Sequence, residues 1–434
     1  MVLSPYVKTY PHPQKPGTLL VLSTRKAAVC QLPEALFQRL EEGDIPEAAV
    51  ETLTRLGVLT ADAETERTEM LGCFERFDQL SSGLNAAVIL GMECNFRCGY
   101  CYEGTLKGNK AMAPATADRL AAFVGELLRP GMDEVILDFY GGEPLLYVER
   151  IVHISKALRS LLEPRDVKYS FTLVTNGSLL TPEVVAALVP LGLRGAKVTL
   201  DGPAENHDRS RPFASGRGSF AAILKNLQDC CDLLPIGIGG TYTRESYPLF
   251  PQLLDRLIEA GLGPERIAQI TFGPVMQTTD AHAPPEVCSG CATVNEPWLI
   301  EASVCLREEV LRRGYKTSKI APAPCMVDRR DAFTVHYDGT LTKCPGLIGD
   351  ERLVVGDVWS GFRDYREVFA LDRLDHAPEC RECAYLPLCL GGCRYMRFQR
   401  EGHMNGVECQ RPFLDATLGA HLLQDVRYRL ASGG

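Results

Sequence analysis

Six apolar runs alternate with helix-length segments in the middle of the chain. This alternation is typical of a parallel sheet whose strands are joined by helices. A closed barrel of eight such units takes about 250 residues, whereas residues 84–275 provide only about 190. We therefore expect an α/β domain built as a partial (β/α)6 TIM-like barrel. The predicted strands are 86–90, 134–140, 168–174, 196–200, 235–242 and 266–272.

Charge and hydropathy exclude two broad classes of protein. The formal net charge is −9 and the sequence pI is near 5.5, which argues against a surface that binds nucleic acid. No stretch approaches the roughly 18 consecutive apolar residues of a transmembrane helix. Residues 1–13 lack the basic and apolar regions of a signal peptide. We therefore expect a cytoplasmic protein without nucleic-acid or membrane partners.

Three closely spaced cysteines follow the first predicted strand. The chain has 17 cysteines, and in a cytoplasmic protein such cysteines more often bind metal than form disulfides. Cys94, Cys98 and Cys101 suit three corners of one 4Fe-4S cube, with the fourth iron left without a protein ligand. Ligand sites of such barrels also lie at the carboxyl ends of the strands. A zinc site is the alternative, but zinc motifs usually pair two Cys-x2-Cys elements, and no second element is adjacent.

The same loop resembles the signature of the radical S-adenosylmethionine (SAM) superfamily. Its Cys-x3-Cys-x-aromatic-Cys pattern is matched by Cys94, Cys98, Tyr100 and Cys101. The resemblance implies that the open iron chelates the methionine part of SAM, and that one electron cleaves the sulfonium to methionine and a 5′-deoxyadenosyl radical. That radical would abstract a hydrogen atom from the substrate, while the protein orients the reactants and excludes water.

Residues at the ends of later predicted strands resemble the family's SAM contacts. Two glycines and a carboxylate in DFYGGEPLL correspond to the motif that the family places against the methionine amino group, since glycines allow close backbone approach and a carboxylate suits an ammonium. An arginine in HDRSRP resembles one that pairs with the cofactor carboxylate. The implied cofactor-binding residues are Tyr100, Gly141, Gly142, Glu143, Thr175, Asn176, Asp201 and Arg211.

A second group of cysteines, within residues 325–409, resembles the SPASM extension of radical enzymes that modify peptides and proteins. A zinc ribbon is the alternative for its Cys-x2-Cys element. The resemblance covers about residues 84–415 and implies two auxiliary 4Fe-4S clusters, so that the chain would hold three clusters. It assigns Cys325, Cys344 and Cys393 to auxiliary cluster I, and Cys380, Cys383, Cys389 and Cys409 to auxiliary cluster II.

Auxiliary cluster I lacks a fourth ligand in this assignment. Two cubes need eight ligands if every iron is protein-bound, and the matched positions supply seven. Either a further cysteine reaches this iron, or the iron is open and accepts a thiolate from the substrate. The candidates are Cys288, Cys291 and Cys305, of which the first two have a ligand-like Cys-x2-Cys spacing. Cys30, Cys230 and Cys231 are expected to be buried structural thiols.

The first 60 residues are predicted to form a separate unit. Two β-prone runs, 18–24 and 27–32, precede two helical segments that end near Gly43 and Gly57. This outline resembles the winged-helix domain with which ribosomal-peptide maturases bind a leader peptide as an added strand. A helical appendage without a peptide partner is the alternative. The expected domains are the winged-helix-like leader-recognition domain (1–60), a linker (61–83), the radical SAM partial barrel (84–275), a bridging region (276–324) and the SPASM domain (325–434).

These resemblances together predict an oxygen-sensitive radical SAM oxidoreductase that modifies a ribosomally made precursor peptide with a leader. We expect cysteine thioether crosslinking as the product chemistry, and a one-electron reductant of the flavodoxin or ferredoxin type. A formylglycine-generating sulfatase maturase and a maturase that forms carbon-carbon crosslinks would share this architecture. An iron-sulfur electron carrier or binding protein is an alternative from another class. The Gly-Gly-Glu motif and the three-cysteine loop count against it.

Overall fold

The computed structural model describes residues 1–76, 82–275, 296–322, 324–367, 369, 374 and 377–430. The chain divides into two compact units, and each is assembled from segments that are distant in sequence. The first unit contains Met1–Leu80, Lys319–Arg329 and Phe369–Gly434, and the second contains Ser81–Ser318 and Arg330–Val368. The predicted domains are continuous stretches, whereas these compact units are not.

Strands and helices are numbered along the chain. The strands are β1 (Val2–Leu3), β2 (Val7–Pro11), β3 (Thr18–Ser23), β4 (Ala28–Pro33), β5 (Leu59–Thr60), β6 (Gly83–Ile89), β7 (Glu134–Tyr140), β8 (Lys168–Thr175), β9 (Leu193–Thr199), β10 (Ile236–Tyr242), β11 (Gln269–Pro274), β12 (Ala332–Val335), β13 (Thr340–Thr342), β14 (Gly356–Asp357) and β15 (Gly361–Phe362). The α-helices are α1 (Glu34–Glu41), α2 (Glu47–Arg55), α3 (Ala63–Arg76), α4 (Pro114–Leu127), α5 (Val148–Leu162), α6 (Pro182–Leu188), α7 (Ala204–Ser210), α8 (Phe220–Cys230), α9 (Phe250–Glu259), α10 (Pro297–Arg312), α11 (Leu386–Cys389), α12 (Arg394–Glu401) and α13 (Arg411–Asp425).

The first unit contains a small antiparallel sheet in which β3 lies between β2 and β4. The predicted hairpin and the two helices after it are confirmed as β3, β4, α1 and α2, while β2 is an additional strand. Helix α3 occupies most of the segment predicted as a linker, and its Met70 is buried in a core with Tyr6 and Leu386.

Both faces of this small sheet are covered by helices of the same unit. Val21 packs into a core with Phe37 of α1, whereas its neighbours Leu20 and Leu22 pack into another core with Leu418 of α13. Alternate residues of a strand point to opposite faces. The N-terminal strands and the C-terminal helix therefore share a hydrophobic core.

The second unit is built on a parallel-rich sheet of ten strands among its described residues. Seven run parallel in the order β11-β10-β9-β8-β7-β6-β12, and β13, β14 and β15 continue antiparallel beyond β12. The six predicted strands are confirmed as β6 to β11, while β12 was not expected. Because β6 to β9 are parallel, the loops that follow them lie at one edge of the sheet. No helix in the described ranges is long and apolar enough to span a membrane.

Candidate active site

The loop after β6 brings the three cysteines of the first motif together. The thiol of Cys98 interacts electrostatically with those of Cys94 and Cys101, and the ammonium of Lys107 interacts with all three. Burial raises the pKa of the Cys94 thiol to about 11, and the N–H of Phe96 and the charge of Lys107 oppose this effect. Binding of iron by these thiols would therefore release protons.

This donor set fits an iron-sulfur cube better than a single ion. Across the ranges that the structure describes, no three Cys, His, Asp or Glu side chains lie close enough together to hold one metal ion. A Zn²⁺ ion needs its sulfur ligands at about 2.3 Å from one centre, whereas a 4Fe-4S cube binds each thiolate to a different iron. The nearby ammonium of Lys107 would offset the negative charge that thiolate ligands bring.

The Gly-Gly-Glu segment after β7 packs directly against the cysteine loop. The Gly142 N–H donates to the Gly91 carbonyl (3.0 Å), and the Glu143 N–H donates to the Glu93 carbonyl (2.9 Å). A Cβ atom on Gly142 would lie 2.1 Å from the Glu93 carbonyl oxygen, and Gly141 has a φ of +115°. Side chains at these two positions would displace the loop. The close backbone approach expected from the sequence is therefore made to the cysteine loop itself.

The carboxylate of Glu143 is fully buried and hydrogen-bonded within the chain. Oε1 accepts from the Thr175 hydroxyl (2.6 Å) and the Leu145 N–H (3.1 Å), and Oε2 accepts from the Asn176 N–H (2.8 Å). Burial raises the pKa of this carboxyl group, and the hydrogen bonds oppose the shift. Its hydrogen-bond donors come from Leu145 and from the Thr-Asn-Gly turn after β8, and the contact with the SAM ammonium that the family resemblance implies stays a prediction. The carboxylate holds that turn against the Gly-Gly-Glu segment.

The Thr-Asn-Gly turn also contacts the cysteine loop. The Asn176 Nδ2 donates to the Asn95 Oδ1 (2.8 Å) and lies 4.0 Å from the Cys94 sulfur. Asn95 in turn donates to the Ser178 hydroxyl (2.9 Å). Thr175 and Asn176 are both buried. Asn176 positions the loop directly through Asn95, whereas Thr175 bonds to Glu143. Asn95 could not be singled out from the motif, because the signature accepts any residue at that position.

Tyr100, Asp201 and Arg211 form a chain of hydrogen bonds beside the loop. The Tyr100 hydroxyl donates to Asp201 Oδ2 and accepts from Arg211 Nη1 (2.6 Å). Asp201 Oδ1 accepts from the Thr241 N–H (2.8 Å). The Arg211 Nε is buried, and among the described residues it has no hydrogen-bond partner. A buried guanidinium donor without a partner suits a ligand carboxylate.

Comparison with known proteins assigns this region to a family. Residues 88–265 match the Radical SAM superfamily model. The chain contains a radical SAM domain. An uncharacterized protein of Archaeoglobus fulgidus is 25% identical over 72% of this chain and 74% of its own length. A serine-type anaerobic sulfatase-maturating enzyme of Bacteroides thetaiotaomicron is 22% identical over 72% of this chain and 82% of its own length. Fe-coproporphyrin III synthase of Methanosarcina barkeri is 27% identical, but the match covers only 45% of either chain.

Solved structures of proteins that bind AdoMet or a peptide share the fold. The structure described as native anSMEcpe with bound AdoMet and Kp18Cys peptide has a TM-score of 0.59 and 17% identity, and the match covers 78% of this chain and 98% of that one. Streptococcus suis SuiB bound to precursor peptide SuiA has a TM-score of 0.53 and 14% identity, and the match covers 94% of this chain and 98% of that one. At these identities the likeness shows a shared fold and nothing more.

The radical SAM domain also holds a buried carboxyl group that no sequence motif marks. Glu103 is 3% exposed, and its Oε1 is without a partner within the described ranges. Burial raises the pKa of Glu103 to about 7, while Lys107 opposes the shift. Neither residue has a fixed place in the signature, so their position beside the cysteines could be found only from the fold.

The cysteines assigned to auxiliary cluster II lie near one another in the first unit. Cys380 interacts electrostatically with Cys389, Cys383 and Cys409, and burial raises the pKa of Cys380 to about 12. The cysteines assigned to auxiliary cluster I are divided, since Cys325 and Cys393 belong to the first unit and Cys344 to the second.

The remaining cysteines differ in exposure. Cys230 and Cys231 are buried as expected, Cys30 is half-buried, and Cys305 is exposed on α10. Cys288 and Cys291 lie outside the described residues.

Proposed function

We propose that this protein binds SAM at a 4Fe-4S cluster on Cys94, Cys98 and Cys101, cleaves it reductively and modifies a ribosomally made peptide in the cytoplasm. The observation that carries the proposal is the Arg211 Nε, which has no partner in the described part of the chain, beside the loop whose three thiols interact electrostatically with Lys107. The bound cluster and SAM would supply a 5′-deoxyadenosyl radical that abstracts hydrogen from the peptide.

The residues around this loop would orient SAM in three ways. Arg211 would donate its Nε–H to the SAM carboxylate, since this donor is buried and without a partner in the described part of the chain. Tyr100 and Asp201 would hold the guanidinium in place. Glu143 would act as a positioning residue, because its hydrogen bonds join the Gly-Gly-Glu segment to the turn after β8.

The small N-terminal sheet would bind the leader peptide at its β4 edge. The N–H of Glu34, which follows β4, donates toward the β3 side to the Gly17 carbonyl (2.8 Å). Backbone groups alternate sides along an antiparallel strand, so the N–H groups of Val29 and Gln31 point away from β3. Pro33, which has no N–H, falls on the same outward side, where proline is tolerated. This edge would accept an extended peptide as an added strand.

The span of the structural matches favours a leader-binding maturase over a sulfatase maturase. The match to SuiB with its precursor peptide covers 94% of this chain, whereas the anSMEcpe matches cover 78–81%. We propose cysteine thioether formation as the product chemistry, with carbon-carbon crosslinking as the second candidate. An open iron on auxiliary cluster I would support the thioether route, because a substrate cysteine bound there would lose its proton and lie near the carbon radical. The same cluster would accept the one electron that is released when the carbon–sulfur bond forms.

The first experiment tests SAM cleavage. The anaerobically reconstituted protein, reduced with dithionite, should convert SAM to 5′-deoxyadenosine, which is measured by chromatography. A variant with Cys94, Cys98 and Cys101 replaced by alanine should form no 5′-deoxyadenosine. Cys231→Ala is its matched control, because Cys231 is a buried cysteine on the segment after α8 and away from the motif. Absence of 5′-deoxyadenosine from an iron-loaded wild-type protein would contradict the proposal.

The second experiment tests the peptide substrate. Short cysteine-containing peptides encoded next to this gene would be co-expressed with the enzyme, and their masses measured. A loss of two hydrogens per modification supports crosslinking. Under subsaturating peptide, Gln31→Pro should reduce modification and Gln31→Ala should not, because only the first removes an outward N–H. Equal modification by both variants would show that this edge does not bind the leader.

Deletion of residues 1–60 would be a less specific test of leader binding. It would also remove Leu20 and Leu22 from the core that they share with Leu418, and so disturb the C-terminal helix. The single substitutions at the edge avoid this loss.

A further inference from the structure

A cavity of about 260 Å³ lies in the second unit. It is lined by residues around the cysteine loop and by residues on either side of Cys344. Its lining includes Met92, two residues before Cys94, and Lys110 from the segment after the cysteine loop. It also includes His336, which follows β12, and residues 348–351, which come shortly after Cys344. β6 and β12 are parallel neighbours, so Met92 and His336 both lie at the carboxyl edge of the sheet. The cysteine loop lies at the same edge.

His336 presents a buried hydrogen-bond acceptor in this lining. The side chain is 3% exposed, and its Nε2 lies 2.9 Å from the Thr342 hydroxyl oxygen. Thr342 donates its single hydroxyl hydrogen to the Cys344 carbonyl (3.1 Å), so Nε2 carries the hydrogen of the ring and donates it to Thr342. Burial lowers the pKa of His336 to about 4, and the ring is therefore neutral near pH 7. The Nδ1 lone pair is buried and unpartnered within the described residues.

The rest of the lining combines apolar surface with negative charge. Met92, Leu106, Ile348 and Val354 contribute apolar surface. The charged residues of the lining are three carboxylates, Asp338, Asp350 and Glu351, and one cation, Lys110. Arg352 pairs with Asp350 at 2.6 Å, and the lining itself carries three carboxylates and one cation. A ligand that fits this lining has an apolar stem and a positively charged N–H donor.

We infer that this cavity binds a basic side chain, lysine or arginine, of the peptide substrate, with its N–H donating to His336 Nδ1. The inference rests on the proposed function, because it takes the substrate to be a peptide. It adds a recognition element: a basic residue held here would fix the neighbouring residues of the peptide beside the cysteine loop. An unsatisfied buried acceptor is destabilising, and the ligand would satisfy it.

The test uses three blocked tripeptides as probes, acetyl-Gly-X-Gly-amide with X as lysine, norleucine or glutamate. Their dissociation constants for the reconstituted full-length enzyme would be measured by anaerobic calorimetry. The lysine peptide should bind at least about tenfold more tightly than either of the others, as expected for one hydrogen bond to a charged group. Equal binding of the lysine and norleucine peptides would overturn the inference.

Two substitutions of His336 separate ligand binding from a structural role. His336→Asn keeps a polar atom near the Nδ1 position and loses the bond to Thr342, whereas His336→Gln keeps that bond and loses the acceptor. The lysine preference should persist in His336→Asn and fall to the norleucine level in His336→Gln. The opposite result, or equal loss in both variants, would overturn the inference. Thermal unfolding checks that both variants fold.

The same preparations distinguish failure of this inference from failure of the proposed function. Cleavage of SAM by the wild-type enzyme without any peptide tests the function alone. Cleavage without a lysine preference rejects only the basic subsite, while absence of cleavage rejects the function whatever the peptides do.

Discussion

Replacing Glu143 by glutamine should destabilise the radical SAM domain as well as weaken SAM binding. In the amide, Oε1 can still accept from the Thr175 hydroxyl and the Leu145 N–H, but the NH2 group faces the Asn176 N–H, which now has no acceptor. A buried donor left without a partner costs about 1–3 kcal/mol. For a domain of this size each kcal/mol lowers the melting temperature by roughly 2–4 °C.

The matched control is Glu126→Gln on α4. Glu126 also pairs through both carboxylate oxygens, with Arg119 at 2.5 and 2.8 Å, but its side chain is 56% exposed. Such surface pairs contribute about 0–1 kcal/mol, so this variant should melt near the wild-type temperature.

Thermal unfolding of the iron-loaded proteins under anaerobic conditions measures the difference, and equilibrium titration measures SAM affinity. A positioning role for Glu143 predicts that melting temperature and affinity fall together. If the SAM affinity of Glu143→Gln fell while its melting temperature equalled those of Glu126→Gln and the wild type, the carboxylate would be a direct SAM ligand. The hydrogen-bond argument would then be wrong.

Three further predictions concern the clusters and pH. Replacing Cys94, Cys98 and Cys101 together by alanine should abolish 5′-deoxyadenosine formation and leave about eight of about twelve irons per chain by the cube stoichiometry; retained cleavage would contradict the assignment. Cys305→Ala should keep all the iron, because the carboxylates of Glu301, Glu308 and Glu309 disfavour the thiolate form of Cys305. Loss of about four irons would show that it closes auxiliary cluster I. Burial lowers the pKa of His207 to about 3, so the unfolded chain binds a proton below about pH 6.5 that the folded chain excludes. Stability should therefore fall by up to about 1.4 kcal/mol per pH unit as the pH drops from 6.5 toward 3, and His207→Gln should flatten a denaturation profile measured across this range.

Local patterns predicted the elements whose residues carry their own signal. The strand predicted over 134–140 has the same bounds as β7, because an apolar run between helix-length segments has few other structures available. β12 was not predicted from the sequence. Its four buried residues are too few to show the alternation of a strand, and its partner β6 is far away in sequence.

The sequence predicts the location of the candidate site but not the hydrogen bonds within it. The cysteine spacing identified the loop, but the bonds of Glu143 to Leu145, Thr175 and Asn176 depend on how β7 and β8 end beside each other. Hydrogen-bond partners of this kind come from tertiary structure, which no motif records.

The pairing of β12 with β6 has a consequence for synthesis of the chain. Asn85 of β6 pairs with Ala332, about 250 residues later. At about 5–20 residues per second, the ribosome needs roughly 12–50 s to deliver that partner after β6 has emerged. Throughout this interval one edge of β6 has unpaired N–H and C=O groups that another nascent chain can occupy. Recombinant yield of soluble protein should therefore depend on translation rate and on chaperones that cover this edge, even when iron and sulfide are abundant.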